Sequence, residues 1–172
     1  NYYKIKYTNY SMSLTEYNKK RKFSQTPEPK GKLKKSNNLK GRLHEGNRRC
    51  PRFVIQKHHA SNLHWDFRLE MNGVLVSWAV PKEPPKTKGI KRLAIMTEDH
   101  PLDYVNFEGT IPEPGYGAGT VKIWDKGEYE LIGKDKKKIE IKLKGKKMKG
   151  NYVFIKTNYG SKPEKSWLFF KI

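Results

Sequence analysis

Between Pro51 and Ile172 apolar residues come in short runs, many of them alternating with polar ones and separated by glycine, proline or asparagine. Ile139, Ile141 and Leu143 alternate with Glu140, Lys142 and Lys144, the pattern of a strand with one face buried and a charged face in water. Asn72-Gly73 separates two further runs, and a two-residue turn of this type joins hairpin strands because both residues accept positive φ. The pattern predicts strands near 52–58, 63–71, 74–80, 91–97, 103–108, 119–125, 128–132, 139–144, 150–156 and 166–171. No segment of helical period interrupts them. The fold class that follows is all-β and mainly antiparallel, a barrel or closed sandwich with short peripheral helices.

Residues 1–50 read differently. They are rich in Lys, Asn and Ser with little periodicity, so a basic, mostly irregular and flexible segment is expected there, ahead of a domain over 51–172. One local element stands out. Ser13-Leu14-Thr15-Glu16 fits a capping box, in which the hydroxyl and the carboxylate satisfy free amides at a helix start, and predicts a short helix near 14–22. Thr26-Pro27-Glu28-Pro29 stops it.

Charge narrows the class of partner. The chain has 172 residues, room for one domain with a real core, and carries 37 Lys and Arg against 17 Asp and Glu, a net +20. A surplus of that size points to a polyanion, nucleic acid before an anionic membrane. No apolar stretch approaches the ~18 residues of a membrane span. The single Cys50 excludes an internal disulfide, which fits a reducing cytoplasm, and no secretory signal is visible. The KxDG motif of nucleotidyltransferases is missing, with only Lys134-Asp135-Lys136 in its place.

Candidate chemistry concentrates in His58–Arg68, HHASNLHWDFR. If 63–69 is extended, period two puts His64, Asp66 and Arg68 on one face, spaced by about 6.6 Å, and Leu63, Trp65, Phe67 and Leu69 on the other. With His58 on a neighbouring strand, His58, His64 and Asp66 offer two nitrogens and one oxygen to a metal. Such a set leaves coordination positions open and suits manganese, iron or zinc better than magnesium or calcium. Gln56 shares the face of His58 and is placed to support the metal shell. A second constellation, Asp99-His100-Pro101-Leu102-Asp103-Tyr104, brings an imidazole and a phenol together around a rigid turn. Asp99 can orient His100. A phosphate ester suits these parts, since a divalent ion polarises a phosphoryl oxygen and Arg68 can bond two such oxygens at once. His100, with an ordinary pKa near 6.5, is a candidate general acid. The glycines of Pro114-Gly115-Tyr116-Gly117-Ala118-Gly119 are no Walker motif and read as a tight turn entering a strand.

The runs FVIQKHHASNLHWDFRLEMNGVLVSWAVPKEPP and KRLAIMTEDHPLDYVNFEGTIPEPGYGAGTVKIWDKGEYE closely resemble the 3'-phosphoesterase domain of the bacterial and archaeal DNA ligase D family, here as a stand-alone member. The resemblance spans Tyr17 to Ile172 and is strongest in QKHxAxxLHxDFRLE, DHPLDY and GxYGAGTV. It implies a barrel, a metal held by His58, His64 and Asp66, and Arg68, His100 and Tyr104 as catalytic residues. It further implies phosphate or substrate binding by Gln56, Lys82 and Arg92. The implied activity is 3'-end healing: a phosphodiesterase that removes a terminal ribonucleoside and a phosphomonoesterase that clears the remaining 3'-phosphate, with manganese as the usual metal. Implied partners are primer-template duplexes with 3'-ribonucleotide or 3'-phosphate ends, a DNA ligase and other end-joining proteins, in the cytoplasm with the nucleoid. One departure lies at Arg21-Lys22, where the family carries Arg-Asp.

Two other readings share parts of the pattern. An iron(II), 2-oxoglutarate oxygenase also uses HxD and a distant His on a barrel, and dependence on 2-oxoglutarate would mark it. A non-catalytic nucleic-acid-binding barrel needs only the charge and the aromatic residues, 4 Trp, 10 Tyr and 7 Phe, and would require no metal.

Overall fold

A computed structural model describes residues 14–33 and 50–172. Eight strands form a closed antiparallel barrel. β1 (Arg52–His59), β2 (Leu63–Met71), β3 (Val74–Val80) and β4 (Lys91–Met96) run in chain order, followed by β10 (Ser166–Lys171), β9 (Lys149–Lys156), β8 (Lys138–Gly145) and β7 (Gly119–Lys134). Pairing of β7 with β1 completes the ring. Two short strands lie outside it: β5 (His100–Pro101) pairs with β3, and β6 (Gly109–Ile111) with the start of β7. The Asn72-Gly73 hairpin has positive φ at both positions, 48° and 86°.

The structure departs from the periodicity in three places. β7 is one strand where the pattern gave two, 119–125 and 128–132, because Gly127 is not a turn. A Cβ there would strike the backbone of Lys144 on β8, so the glycine serves strand-to-strand approach. The run 103–108 is no strand: Leu102–Asn106 is a 3-10 helix burying Leu102, Tyr104 and Val105. Rigid Pro101 leads into it. The helix expected over 14–22 is the shorter α1, Thr15–Lys19, with Leu14 at its N-cap. Ser13 of the capping box lies outside the described residues, as do most of 1–50. Among the described residues no helix is long and apolar enough to cross a membrane.

The walls of the barrel have two characters. Inside, Phe53, Phe67, Trp78, Phe154 and Phe169 are fully buried and interlock, with ring centroids 5.2 Å apart for Phe67 and Phe154, 4.5 Å for Trp78 and Phe154, and 4.4 Å for Phe154 and Phe169. Outside, the same strands turn polar. The β1–β2 register sets Gln56 opposite Asp66 and His58 opposite His64, while the β2–β3 register sets Arg68 opposite Ser77. This outer face is covered by the 3-10 helix and by Tyr17 of α1, both buried against it.

Phe154 touches three other core rings, so Phe154→Ala should lower the unfolding free energy by about 3–5 kcal/mol. Exposed Lys122 sets the contrast, with Lys122→Ala expected to stay within about 0.5 kcal/mol. Urea unfolding of both variants checks this.

Candidate metal centre and active site

One ligand atom each from His58, His64 and Asp66 lies within 4.8 Å of the others. His58 Nδ1 is 3.4 Å from Asp66 Oδ2, and His64 Nε2 is 3.7 Å from Asp66 Oδ1. The opposite nitrogen of each ring is taken by a backbone carbonyl: His58 Nε2 donates to Gly117 at 2.9 Å and His64 Nδ1 to Asn62 at 2.9 Å. That fixes the tautomers. Each lone pair then sits on the nitrogen beside Asp66, the arrangement a metal-ligating histidine needs. Burial pushes the Asp66 carboxyl up, but Arg68 and the two imidazoles outweigh it and hold the group below the usual range, so it is an anion. Two nitrogens and one carboxylate oxygen fit a divalent transition ion and leave coordination positions for a ligand.

Arg68 stands next to this set and is only 3% exposed. Its Nη2 lies 3.2 Å from Asp66, Nε donates to Gln56 Oε1 at 2.8 Å, and Nη1 lies 3.1 Å from His100 Nδ1. At least one N–H on each terminal nitrogen is left over. Gln56 is fully buried and fully used: beyond Arg68 it donates to the carbonyls of Tyr104 and Phe107 at 3.1 and 2.9 Å. It thereby brackets β1 to the 3-10 helix while holding Arg68 in place. His100 is buried between two guanidiniums, with Arg21 Nη2 3.3 Å from Nε2. Burial first, then Arg68 and Arg21, drive its pKa well down, so the resting ring is neutral. Asp99 does not orient it; the nearby acceptor is the Glu98 carbonyl, 2.9 Å from Nδ1. Tyr104 packs edge-on against His100 and donates its hydroxyl to Glu28 at 3.0 Å. Burial raises the Tyr104 pKa far above the ordinary phenol value, keeping the proton in place.

Several neighbours escaped the sequence reading. Arg21 pairs with Glu28 at 2.8 Å and Glu98 at 3.2 Å, both pairs nearly dry, and Tyr17 packs edge-on to His100 at 4.9 Å. Their trace in the sequence was the family resemblance, which reaches back to Tyr17 and implies that this segment folds along the site. Lys82 and Arg92 make no contact with the cluster: Lys82 is exposed, and Arg92 donates to the Glu83 carbonyl at 2.9 Å. The glycine-rich loop acts through the Gly117 carbonyl on His58, and Gly119, at φ +137°, lets β7 start against the His59 backbone.

A sequence model of the DNA Ligase D 3'-phosphoesterase domain matches residues 56–156. The chain belongs to this phosphoesterase family. It is 45% identical over 166 residues to the multifunctional non-homologous end joining protein LigD of Pseudomonas aeruginosa, covering 94% of this chain and 19% of that protein. The LigD protein of Mycobacterium bovis is 47% identical over 149 residues, 84% of this chain and 18% of its own length. That of Mycolicibacterium smegmatis is 44% identical over 168 residues, 90% and 20%. The chain thus spans about a fifth of the length of these relatives. In this phosphoesterase Lys22, at the position of the family's acid, is exposed and lines a cleft beside Arg21.

Asp99 gives the site an acid-side signature. Burial, with Glu98 nearby and Lys134 opposing, pushes its carboxyl up to about 6. A carboxyl raised on folding adds stability that is present below its unfolded value and lost as pH rises through about 6. Asp99→Asn should therefore be more stable than wild type at pH 8, with the gain shrinking towards zero near pH 4. Urea midpoints of the two proteins across that range check it.

Proposed function

We propose that the chain is a metal-dependent 3'-end-healing phosphoesterase that acts on duplex ends, removing a terminal ribonucleoside and then the 3'-phosphate to leave a 3'-hydroxyl for ligation. The observation that carries this reading is the set of His58, His64 and Asp66 atoms within 4.8 Å of one another, with a buried guanidinium 3.2 Å from the same carboxylate. His58, His64 and Asp66 would hold the metal; the donor set fits a divalent transition ion, and the family resemblance points to manganese among these. When bound, the ion supplies Lewis acidity and a water made acidic enough to attack at neutral pH.

The protein's own groups supply the rest. The spare N–H of each Arg68 terminal nitrogen can bond one phosphoryl oxygen, stabilising negative charge in a water-poor site. His100 rests neutral between Arg21 and Arg68; an arriving phosphate offsets those cations and lets the ring carry the proton destined for the leaving oxygen. In the first step a water oxygen bonds to phosphorus, the bond to the 5'-oxygen of the terminal nucleoside breaks, and that oxygen takes a proton. In the second, water attacks the remaining monoester and the bond to the 3'-oxygen breaks, releasing inorganic phosphate. The large cationic surplus suits a primer-template duplex as substrate, and the names of the relatives support end joining beside a ligase in the cytoplasm as its setting.

The decisive assay uses a primer-template ending in one 3'-labelled ribonucleotide, with and without manganese. Wild type should release the nucleoside and then phosphate only with the metal. His58→Ala, His64→Ala and Asp66→Ala should each retain less than about a tenth of the rate, a loss above about 1.4 kcal/mol, while circular dichroism shows an intact barrel. Metal-independent turnover, or a rate that survives any of these changes, would falsify the reading.

A second set of variants separates the roles around the phosphate. Arg68→Lys should not restore activity, because one ammonium cannot reproduce a two-pronged contact. His100→Ala should lower kcat by about 10²- to 10⁴-fold while leaving manganese affinity, measured by calorimetry, close to wild type. Rescue of that variant by excess manganese would make His100 a ligand instead.

A further inference from the structure

Beside the metal cluster a cleft of about 370 Å³ opens between residues 20–28 and the loop 111–116. It borders the centre through three links. Arg21 on its wall reaches His100, Glu28 on its wall accepts the Tyr104 hydroxyl, and Gly117, just past the loop, holds His58. The cleft thus adjoins the residues that hold His58, His100 and Tyr104.

Its lining has the character of a nucleoside site. Tyr116 is 49% exposed and carries Lys20 Nζ 4.7 Å from its ring centroid and Arg21 5.6 Å away. The part of the ring that these cations leave open offers a base a surface to stack on. The charges largely cancel: Lys20 is paired with Glu98 and Arg21 with Glu28 and Glu98, and the remaining cation of the lining, Lys22, is matched in number by Glu113. A lining so nearly neutral favours an uncharged nucleoside over a stretch of sugar-phosphate backbone. Gln25 is exposed on the same wall, an amide able to bond a sugar hydroxyl or a base edge. The volume lies within the range, about 300–1,000 Å³, of pockets that enclose one small organic molecule.

The geometry points to this cleft as the subsite for the terminal ribonucleoside that leaves in the phosphodiesterase step, with Tyr116 stacking on its base. The inference rests on the phosphoesterase reading above and adds where the leaving group sits. It separates the two substrates of one metal centre: an end with a ribonucleoside fills the cleft, whereas an end with a bare 3'-phosphate leaves it empty.

Steady-state kinetics on two matched primer-templates, one ending in a single ribonucleotide and one in a 3'-phosphate, test this with manganese present. Tyr116→Ala should raise KM for the ribonucleotide end by about 10-fold or more and move KM for the 3'-phosphate end by less than about twofold. Tyr116→Phe, which keeps the ring and loses only the 3.4 Å bond from Lys20, should behave as wild type on both. Equal loss on the two substrates would mean that Tyr116 supports the upstream strand or the position of Arg21, and overturns the subsite. So does a Phe variant as impaired as Ala. Wild-type protein that clears the 3'-phosphate but never the ribonucleotide overturns the subsite and spares the phosphoesterase reading; protein inert on both ends sinks that reading itself.

Discussion

Arg68 is a permanent cation on a strand in the middle of the fold, almost removed from water, and the arrangement around it follows from how that charge is accommodated. A buried charge costs several kcal/mol unless it is paired and hydrogen-bonded. Asp66 supplies the counter-charge, Gln56 the neutral acceptor, and the Tyr104 ring lies 4.8 Å from the guanidinium carbon. Each partner is then committed elsewhere. Asp66 draws the two imidazoles into range of one ion, Gln56 ties β1 to the 3-10 helix, and Tyr104 hands its proton to Glu28. The His58, His64 and Asp66 cluster and the cover over its surroundings are consequences of a single solvation problem.

The same charge sets the protonation of the site. Arg68 lowers Asp66 and also His100, so one cation keeps the cluster carboxylate ionised and the neighbouring imidazole neutral. The same downward push leaves a carboxyl charged and an imidazole uncharged, which lets neighbouring groups take different roles at one pH. Glu98 is pulled down by its backbone contact and by Lys20 and Arg21 against the cost of burial, which keeps the second cation, Arg21, compensated as well.

Much of this was legible in the chain because β2 obeys period two without exception: the polar row His64, Asp66, Arg68 and the apolar row opposite are where alternation puts them, and the Asn72-Gly73 turn fixes the register to β3. What escaped was non-local. Nothing near Gln56 announces that its amide meets carbonyls about 50 residues on, and nothing near Arg21 announces Glu98. Gly127 looked like punctuation because its reason, the Lys144 backbone, lies on another strand. Residues 103–108 alternate well enough to pass for a strand; the rigid entry at Pro101 and the burial of Leu102 and Val105 together decide for the 3-10 helix. For Lys82 and Arg92 a motif match carries residue identity but not side-chain direction, and the Arg92 guanidinium is turned to the Glu83 carbonyl.

The position of β10 has a bearing on modularity. It lies between β4 and β9, and its Trp167 and Phe169 enter the central aromatic cluster, yet it falls after the span that the family profile recognises, as the first half of β1 and all of α1 fall before it. The recognisable signature is therefore smaller than the smallest autonomous unit. A fragment cut to the signature would be an open sheet with two unpaired edges and no cover over His100, prone to self-association rather than catalysis. Transplanting this activity into another polypeptide means carrying the flanks as well as the motif.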